Sequence, residues 1–189
     1  MTKITTLFMM LLMVAFTYGQ SLPLDFEVPE DDAFVPFNGA TAMVVEDPTD
    51  NTNSVLELTS SGVDFDGATI TLDTFIDLSD DANNSITFRF WSPDATTRTH
   101  LLKFEGSPSS AGAVEQFFDT TVDGWQNVTV DFPAAGSDYP LLTIFADSGA
   151  GNTGVGTYYL DDIDGPNGAV VPVDPIPDGP APVPTAPDD

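Results

Sequence analysis

Cysteine and basic residues are what this sequence most lacks. It has no cysteine and one histidine, and its 189 residues carry four lysines and arginines against 30 aspartates and glutamates, for a net charge of −26. Without cysteine there is no disulfide and no thiolate metal site. A surface this negative repels nucleic-acid phosphates and anionic membranes, which excludes both as partners.

The shortage of histidine and cations also argues against most catalytic classes. His100 is the only histidine and no G-x-S-x-G motif occurs, so nothing supports a Ser-His-Asp triad. A polysaccharide lyase needs clustered basic side chains, and after residue 20 the chain holds only Arg89, Arg98 and Lys103. A glycosidase needs two spaced carboxylates, an alternative that the acidic residues leave open. Since none of them lies in a catalytic motif, we predict that the protein is not an enzyme.

The two ends of the chain differ in composition from its middle. The N-terminus has the pattern of a cleaved secretion signal: a positive charge at Lys3, an apolar run at 7–16 and a cleavage region that ends at Gln20. Residues 1–20 are therefore predicted to be a signal peptide. A transmembrane helix needs an apolar run of about 20 residues, roughly twice this length. Residues 166–189 are rich in proline and aspartate, which predicts a disordered linker or tail. Such a segment either leads to a further domain of a longer protein or tethers this domain elsewhere. One folded domain remains, at 21–165, in a secreted or cell-surface protein.

Short strands are the dominant local pattern, and no window has a helical period. The clearest strand is 85–93, where Ile86, Phe88 and Phe90 point inward while Arg89 and Trp91 lie on the opposite face. About ten such strands, separated by turn signals, predict an all-β jelly-roll β-sandwich of two antiparallel sheets. They include a first strand at 22–28, a turn at 38–39, and a hairpin in which 122–124 joins 113–121 to 125–132.

Several segments fall in an order that is shared with a known family. They are L-D-F-E (24–27), D-P (47–48), G-A-T-I-T-L (67–72), F-R-F-W-S-P (88–93), L-L-K-F-E (101–105), W-Q-N-V-T-V-D-F (125–132) and Y-Y-L-D-D-I (158–163). Together they resemble the calcium-binding jelly-roll carbohydrate-binding modules of secreted Bacteroidota polysaccharide-degrading proteins. The resemblance covers nearly all of 22–165, although jelly rolls also serve as adhesins and spacers.

The resemblance implies a structural Ca²⁺ held by acidic residues of the first and last strands. The candidate ligands are Glu27, Asp161 and Asp162. Calcium takes six to eight oxygen ligands and would clamp both ends of a domain that has no disulfide. Strand alternation lets only one of the two aspartates face Glu27, and the resemblance favours Asp161. The alternative is that all three are ordinary solvated carboxylates of an acidic protein.

A sugar-binding face needs an exposed aromatic ring beside polar side chains, because pyranose C–H faces stack on rings while their hydroxyls form hydrogen bonds. The candidates are Arg89, Trp91, Lys103 and Glu105, with Gln116 as an addition. This set requires that the strands carrying Arg89 and Lys103 are neighbours with aligned faces. The alternative is that Trp91 packs at the sandwich edge and the cations pair with local carboxylates.

These features predict a secreted, non-catalytic carbohydrate-binding module that holds polysaccharide on one sheet face and targets an attached or partner enzyme. An acidic domain disfavours sulfated or uronic polymers unless calcium bridges them, so a β-glucan is the favoured ligand. The alternative function is a structural or adhesive spacer domain of a cell-surface protein. Exposure of Trp91 beside Arg89 would favour the first function, and burial of Trp91 the second.

Overall fold

A computed structural model describes residues 20–28, 31–109, 112–149 and 152–172 of the chain. The predicted signal peptide, apart from Gln20, and the predicted tail from residue 173 onward lie outside them. In this described part, no helix is both long and apolar enough to cross a membrane. The described strands are β1 (Val35–Phe37), β2 (Thr41–Asp47), β3 (Asp50–Ser61), β4 (Gly67–Ile76), β5 (Ser85–Ser92), β6 (Arg98–Glu105), β7 (Val114–Thr120), β8 (Gly124–Asp131), β9 (Tyr139–Phe145), β10 (Ser148–Gly149), β11 (Asn152–Thr153), β12 (Val155–Asp164) and β13 (Asn167–Val170).

The strands form two antiparallel sheets packed face to face. The first sheet has the order β1-β4-β9-β6-β7, with β13 also paired to β4, and the second has the order β2-β3-β12-β5-β8. The short strands β10 and β11 pair with each other. This architecture confirms the predicted jelly-roll β-sandwich.

Side-chain alternation builds the core between the sheets, as the sequence of β5 predicts. Ile86, Phe88 and Phe90 are at most 3% exposed. Leu102 and Phe104 of β6 face them from the first sheet and are equally buried. The alternate residues of each strand therefore form the two outer faces of the sandwich.

The connection between β7 and β8 corrects one predicted pairing. Gly124 adopts a φ of 109°, so the turn at 122–124 exists, but β7 pairs with β6 and β8 pairs with β5. The predicted hairpin is wrong because the chain changes sheets at this turn. The turn signal at Asn38-Gly39 is confirmed, with φ angles of 52° and 90°.

Both predicted ends of the domain also differ from the structure. The predicted strand at 22–28 is reduced to one bridge, in which Leu24 and Ile163 exchange backbone hydrogen bonds of 2.9 and 3.0 Å. The predicted domain end at residue 165 is too early, because β13 pairs with β4 and the Asn167 side chain donates to the Leu22 carbonyl at 2.7 Å. The segment between Pro166 and Pro172 contains no proline, so its amides are free to join a sheet.

Candidate functional site

The predicted ligand-binding residues are divided between the two sheets. Arg89 and Trp91 lie on β5, whose neighbours are β12 and β8, whereas Lys103 and Glu105 lie on β6, whose neighbours are β9 and β7. Gln116 of β7 stands opposite the core residue Leu102, so it does not share the outer face of Lys103. The prediction that these residues form one site is therefore wrong, because β5 and β6 belong to different sheets.

A row of polar side chains crosses the outer face of the first sheet. The strand register places Thr69, Thr143, Lys103 and Glu115 side by side on β4, β9, β6 and β7. The hydroxyls of Thr69 and Thr143 hydrogen-bond at 2.8 Å, and the Thr143 hydroxyl donates to Glu105 Oε1 at 3.3 Å. Lys103 Nζ lies 2.9 Å from Glu105 Oε2 and 3.6 Å from Glu115 Oε1. The row is thus a connected network across four strands.

A row of apolar side chains lies beside this network on the same face, two residues further along the strands. Leu101 is in register with Phe145 on one side and Phe117 on the other. Leu101 and Phe145 are buried, while Phe117 is 56% exposed. Phe37 packs edge-on against Phe145 with ring centroids 5.5 Å apart. We call this surface, with its apolar and polar rows, the Phe117 face.

The electrostatics of the Phe117 face are set by one lysine between two glutamates. The hydrogen bond to Glu105 raises the pKa of Lys103, against an opposing effect of burial and with further help from Glu115. Lys103 is therefore a firmly charged donor, and the charge of its immediate surroundings is negative.

The outer face of the second sheet is centred on an ion pair, and we call it the Arg89 face. Arg89 Nη1 lies 2.8 Å from Asp161 Oδ2, and the guanidinium stacks on the Trp125 ring with 4.4 Å between its central carbon and the ring centroid. Asp161 is 1% exposed and also accepts a 2.9 Å hydrogen bond from Asn53. Burial raises the pKa of Asp161, while Asn53 and Arg89 oppose that shift.

The aromatic rings of the Arg89 face are engaged in packing. Trp91 meets Tyr159 edge to face at 5.2 Å and is half-buried. The Trp125 indole N–H lies 3.3 Å from Asp47 Oδ1 and 3.2 Å from the Thr49 hydroxyl, so the β2–β3 turn reaches over this face. These rings offer less free surface for stacking than the sequence predicts.

The candidate calcium ligands do not converge. Glu27 accepts a 2.8 Å hydrogen bond from the Ser54 amide, and Asp161 is already paired with Arg89. Asp162 directs its carboxylate outward, with its side chain 60% exposed. Within the described residues no group of three acidic, histidine or cysteine side chains is placed to hold a metal ion. Calcium at Glu27, Asp161 and Asp162 therefore stays an untested prediction.

Several residues of the Phe117 face were missed by sequence reasoning. The pair Phe117-Phe118 predicts one exposed ring, but it does not say which. Thr143 and Glu115 come beside Lys103 only through pairing between β9, β6 and β7. The sequence signal that pointed to this face was the alternation on β6, which places Lys103 and Glu105 on the same outer side.

Comparison with known proteins gives a fold and no sequence family. No protein-family model matches the chain, and no curated protein matches its sequence. Among solved structures, the CBM28 carbohydrate-binding module, which is specific for non-crystalline cellulose, has a TM-score of 0.56 at 14% identity over 78% of this chain and 94% of that one. The CBM22-1 xylan-binding domain of Paenibacillus barcinonensis Xyn10C has a TM-score of 0.52 at 12% identity, over 78% and 93%.

An exo-β-agarase has a TM-score of 0.54 at 14% identity over 79% of this chain. The present chain spans only a quarter of the length of that enzyme, at 25%. At such identities the similarity establishes the architecture alone. The chain therefore has the jelly-roll fold that is found in carbohydrate-binding modules.

Proposed function

We propose that this protein is a non-catalytic carbohydrate-binding module whose Phe117 face holds a polysaccharide. The observation that carries the proposal is an exposed aromatic ring, Phe117, next to a hydrogen-bonding network that crosses four strands. An apolar ring supports the C–H face of a sugar, and the adjacent polar row supplies partners for its hydroxyls. Binding sites of this kind join a mainly apolar surface to a few placed polar groups.

The dimensions of the face favour a chain over a single sugar. Strands in a sheet are spaced by about 4.8 Å, so the row from Thr69 to Glu115 is about 14 Å long. A glycan lying across the strands would have Phe117 at one end and the partly exposed Thr69 towards the other. Thr143, which is 1% exposed, holds Thr69 and Glu105 in place from beneath. Because the network is already assembled, its side chains lose little freedom on binding.

The charge of the face selects the class of polymer. Lys103 lies between Glu105 and Glu115, so the local balance is negative, as it is over the whole chain. Uronic and sulfated chains would be repelled, and a neutral β-glucan is the favoured ligand. In a secreted protein such binding would hold an attached or partner enzyme on its polymer and add avidity to weak single sites.

Affinity electrophoresis tests this proposal on the Phe117 face. Native gels containing laminarin, mixed-linkage glucan, xylan or alginate would be run with the wild-type chain, Phe117→Ala and Met43→Ala. Met43 is the matched control because it is a 50% exposed apolar side chain on the second sheet. Removing a ring that a sugar covers costs about 1.4 kcal/mol or more, so Phe117→Ala should weaken retardation at least about tenfold.

The expected result is retardation by a neutral glucan that Phe117→Ala loses and Met43→Ala keeps. Retardation that survives in Phe117→Ala would move the binding site away from this face. If no polymer retards a correctly folded wild-type protein, the domain is instead a structural or adhesive spacer. Circular dichroism of each variant establishes that the fold is intact.

A further inference from the structure

A cavity of about 320 Å³ opens on the Arg89 face, away from the polysaccharide site proposed above. Its polar lining consists of Thr87, Arg89, Asn127, Thr129 and Asp162. Ligand pockets range over about 300–1,000 Å³, so this cavity has room for one small molecule and not for a polymer segment.

The register of β5 and β8 places four of these side chains in a rectangle. Thr87 stands opposite Thr129, and Arg89 stands opposite Asn127. Directly opposed residues in a sheet have side chains about 5 Å apart, and neighbours on one face along a strand are separated by about 7 Å. Hydrogen-bonding groups therefore converge on a small area from two strands.

A bulge in β12 supplies the fifth group. The pairing of β12 with β5 shifts register between Asp161 and Asp164, and Asp162 adopts a left-handed backbone with a φ of 52°. A bulge of this kind re-aims a side chain, and a left-handed residue other than glycine is a feature that the surrounding structure must maintain. Here it directs the Asp162 carboxylate outward beside the cavity, 4.0 Å from Arg89 Nη1.

The lining offers both donors and acceptors that are not used elsewhere. Within the described part of the chain, the side chains of Thr87, Asn127 and Thr129 form no hydrogen bond. Arg89 uses Nη1 for Asp161 and is held flat on Trp125, which leaves other guanidinium N–H groups as donors in a fixed position. Asp162 is an acceptor for two hydroxyls at once.

This combination matches a polyhydroxyl ligand better than an ion. One guanidinium faces two carboxylates, Asp161 and Asp162, so an anionic ligand is disfavoured. Adjacent hydroxyls of a sugar ring can donate to Asp162 while accepting from Arg89 and the Asn127 amide. We propose that the cavity is a second binding site, for a single neutral pyranose residue with free neighbouring hydroxyls.

The site can be tested by amide chemical-shift titration of the ¹⁵N-labelled full chain. The probes are methyl glucopyranoside, methyl galactopyranoside, methyl mannopyranoside and calcium chloride. For a ligand of this size we expect saturable binding in the low-millimolar range. The shifted amides should be those of 87–89, 127–129 and 162, with 115–117 of the Phe117 face unaffected.

Two variants and one control decide the assignment. Asn127→Ala removes an exposed amide, and Asp162→Asn removes a charge while asparagine still tolerates the left-handed backbone. Each should weaken binding of the responding glycoside at least about fivefold, whereas Asp123→Asn, an equal charge change at an exposed turn residue, should not. Absence of saturable shifts with every glycoside, shifts confined to the Phe117 face, or a response only to calcium would each overturn the proposal.

Discussion

The single histidine gives a sharp test of how the core is assembled. His100 is fully buried and stacks on Phe118 with ring centroids 5.0 Å apart. Its Nδ1 accepts the Asp147 backbone N–H at 2.9 Å, so the ring proton lies on Nε2, 2.8 Å from the Thr120 hydroxyl. Burial, helped by the nearby charge of Arg98, lowers the pKa of His100 from 6.5 to about 3.

This shift makes stability depend on pH with a defined sign. In the folded protein His100 stays neutral down to a pH of about 3, while the unfolded chain binds a proton below pH 6.5. The free energy of unfolding is therefore not reduced by His100 above pH 6.5, and it decreases as the pH falls from 6.5 towards 3. Between pH 7 and pH 5 the loss is about 2 kcal/mol, since most unfolded chains carry the extra proton at pH 5.

Urea unfolding, followed by tryptophan fluorescence at pH 7 and pH 5, measures this loss. His100→Gln is the control because glutamine keeps a donor and an acceptor without titrating. The raised pKa of Asp161 acts in the opposite direction, making the folded state relatively more stable as the pH falls, but it is common to both proteins. The variant should therefore lose about 2 kcal/mol less than the wild type. Equal losses, or an imidazole NMR titration near pH 6.5 in the folded state, would refute the reasoning.

Three further predictions concern stability, each measured by urea unfolding. Gly67→Ala should cost about 1–3 kcal/mol, because its Cβ would lie 2.3 Å from the Ile144 carbonyl oxygen, and a cost near zero would contradict that contact. Arg89→Ala should lower the free energy of unfolding by about 2–3 kcal/mol, because Asp161 is then buried without its ion-pair partner. The double variant Arg89→Ala/Asp161→Asn should recover part of this loss, and equal stability of the single and double variants would contradict the reasoning. A chain that ends at Gly165 should be less stable than one that keeps β13, and equal stability would show that β13 adds nothing.

The fold was predictable because its signals are local. The alternation in β5 identified Ile86, Phe88 and Phe90 as core, and all three are buried. Turn residues such as Asn38-Gly39 marked strand ends, because few other residues adopt the backbone that a tight turn needs. These signals act over two to four residues, which is the range that a single sequence displays well.

The candidate site was only half predictable because it depends on strand partners. Lys103 and Glu105 lie on the Phe117 face as an alternating pair, but Thr143 joins them through a strand some 40 residues away in the chain. Phe117 could not be distinguished from Phe118 until β7 was placed against β6. Composition likewise marked the tail, but it could not show that 167–170 would find a free edge of β4.

The change of sheet between β5 and β6 has a consequence for function as well as for prediction. It turns the predicted single site into two surfaces on opposite sides of the sandwich, with both strands' inner residues shared in one core. Packed sheets are about 10 Å apart, so one sugar ring cannot contact both surfaces. A domain with a chain-sized face on one side and a single-residue cavity on the other would hold two separate glycan segments. Its avidity for a dense polymer would then exceed that of either surface.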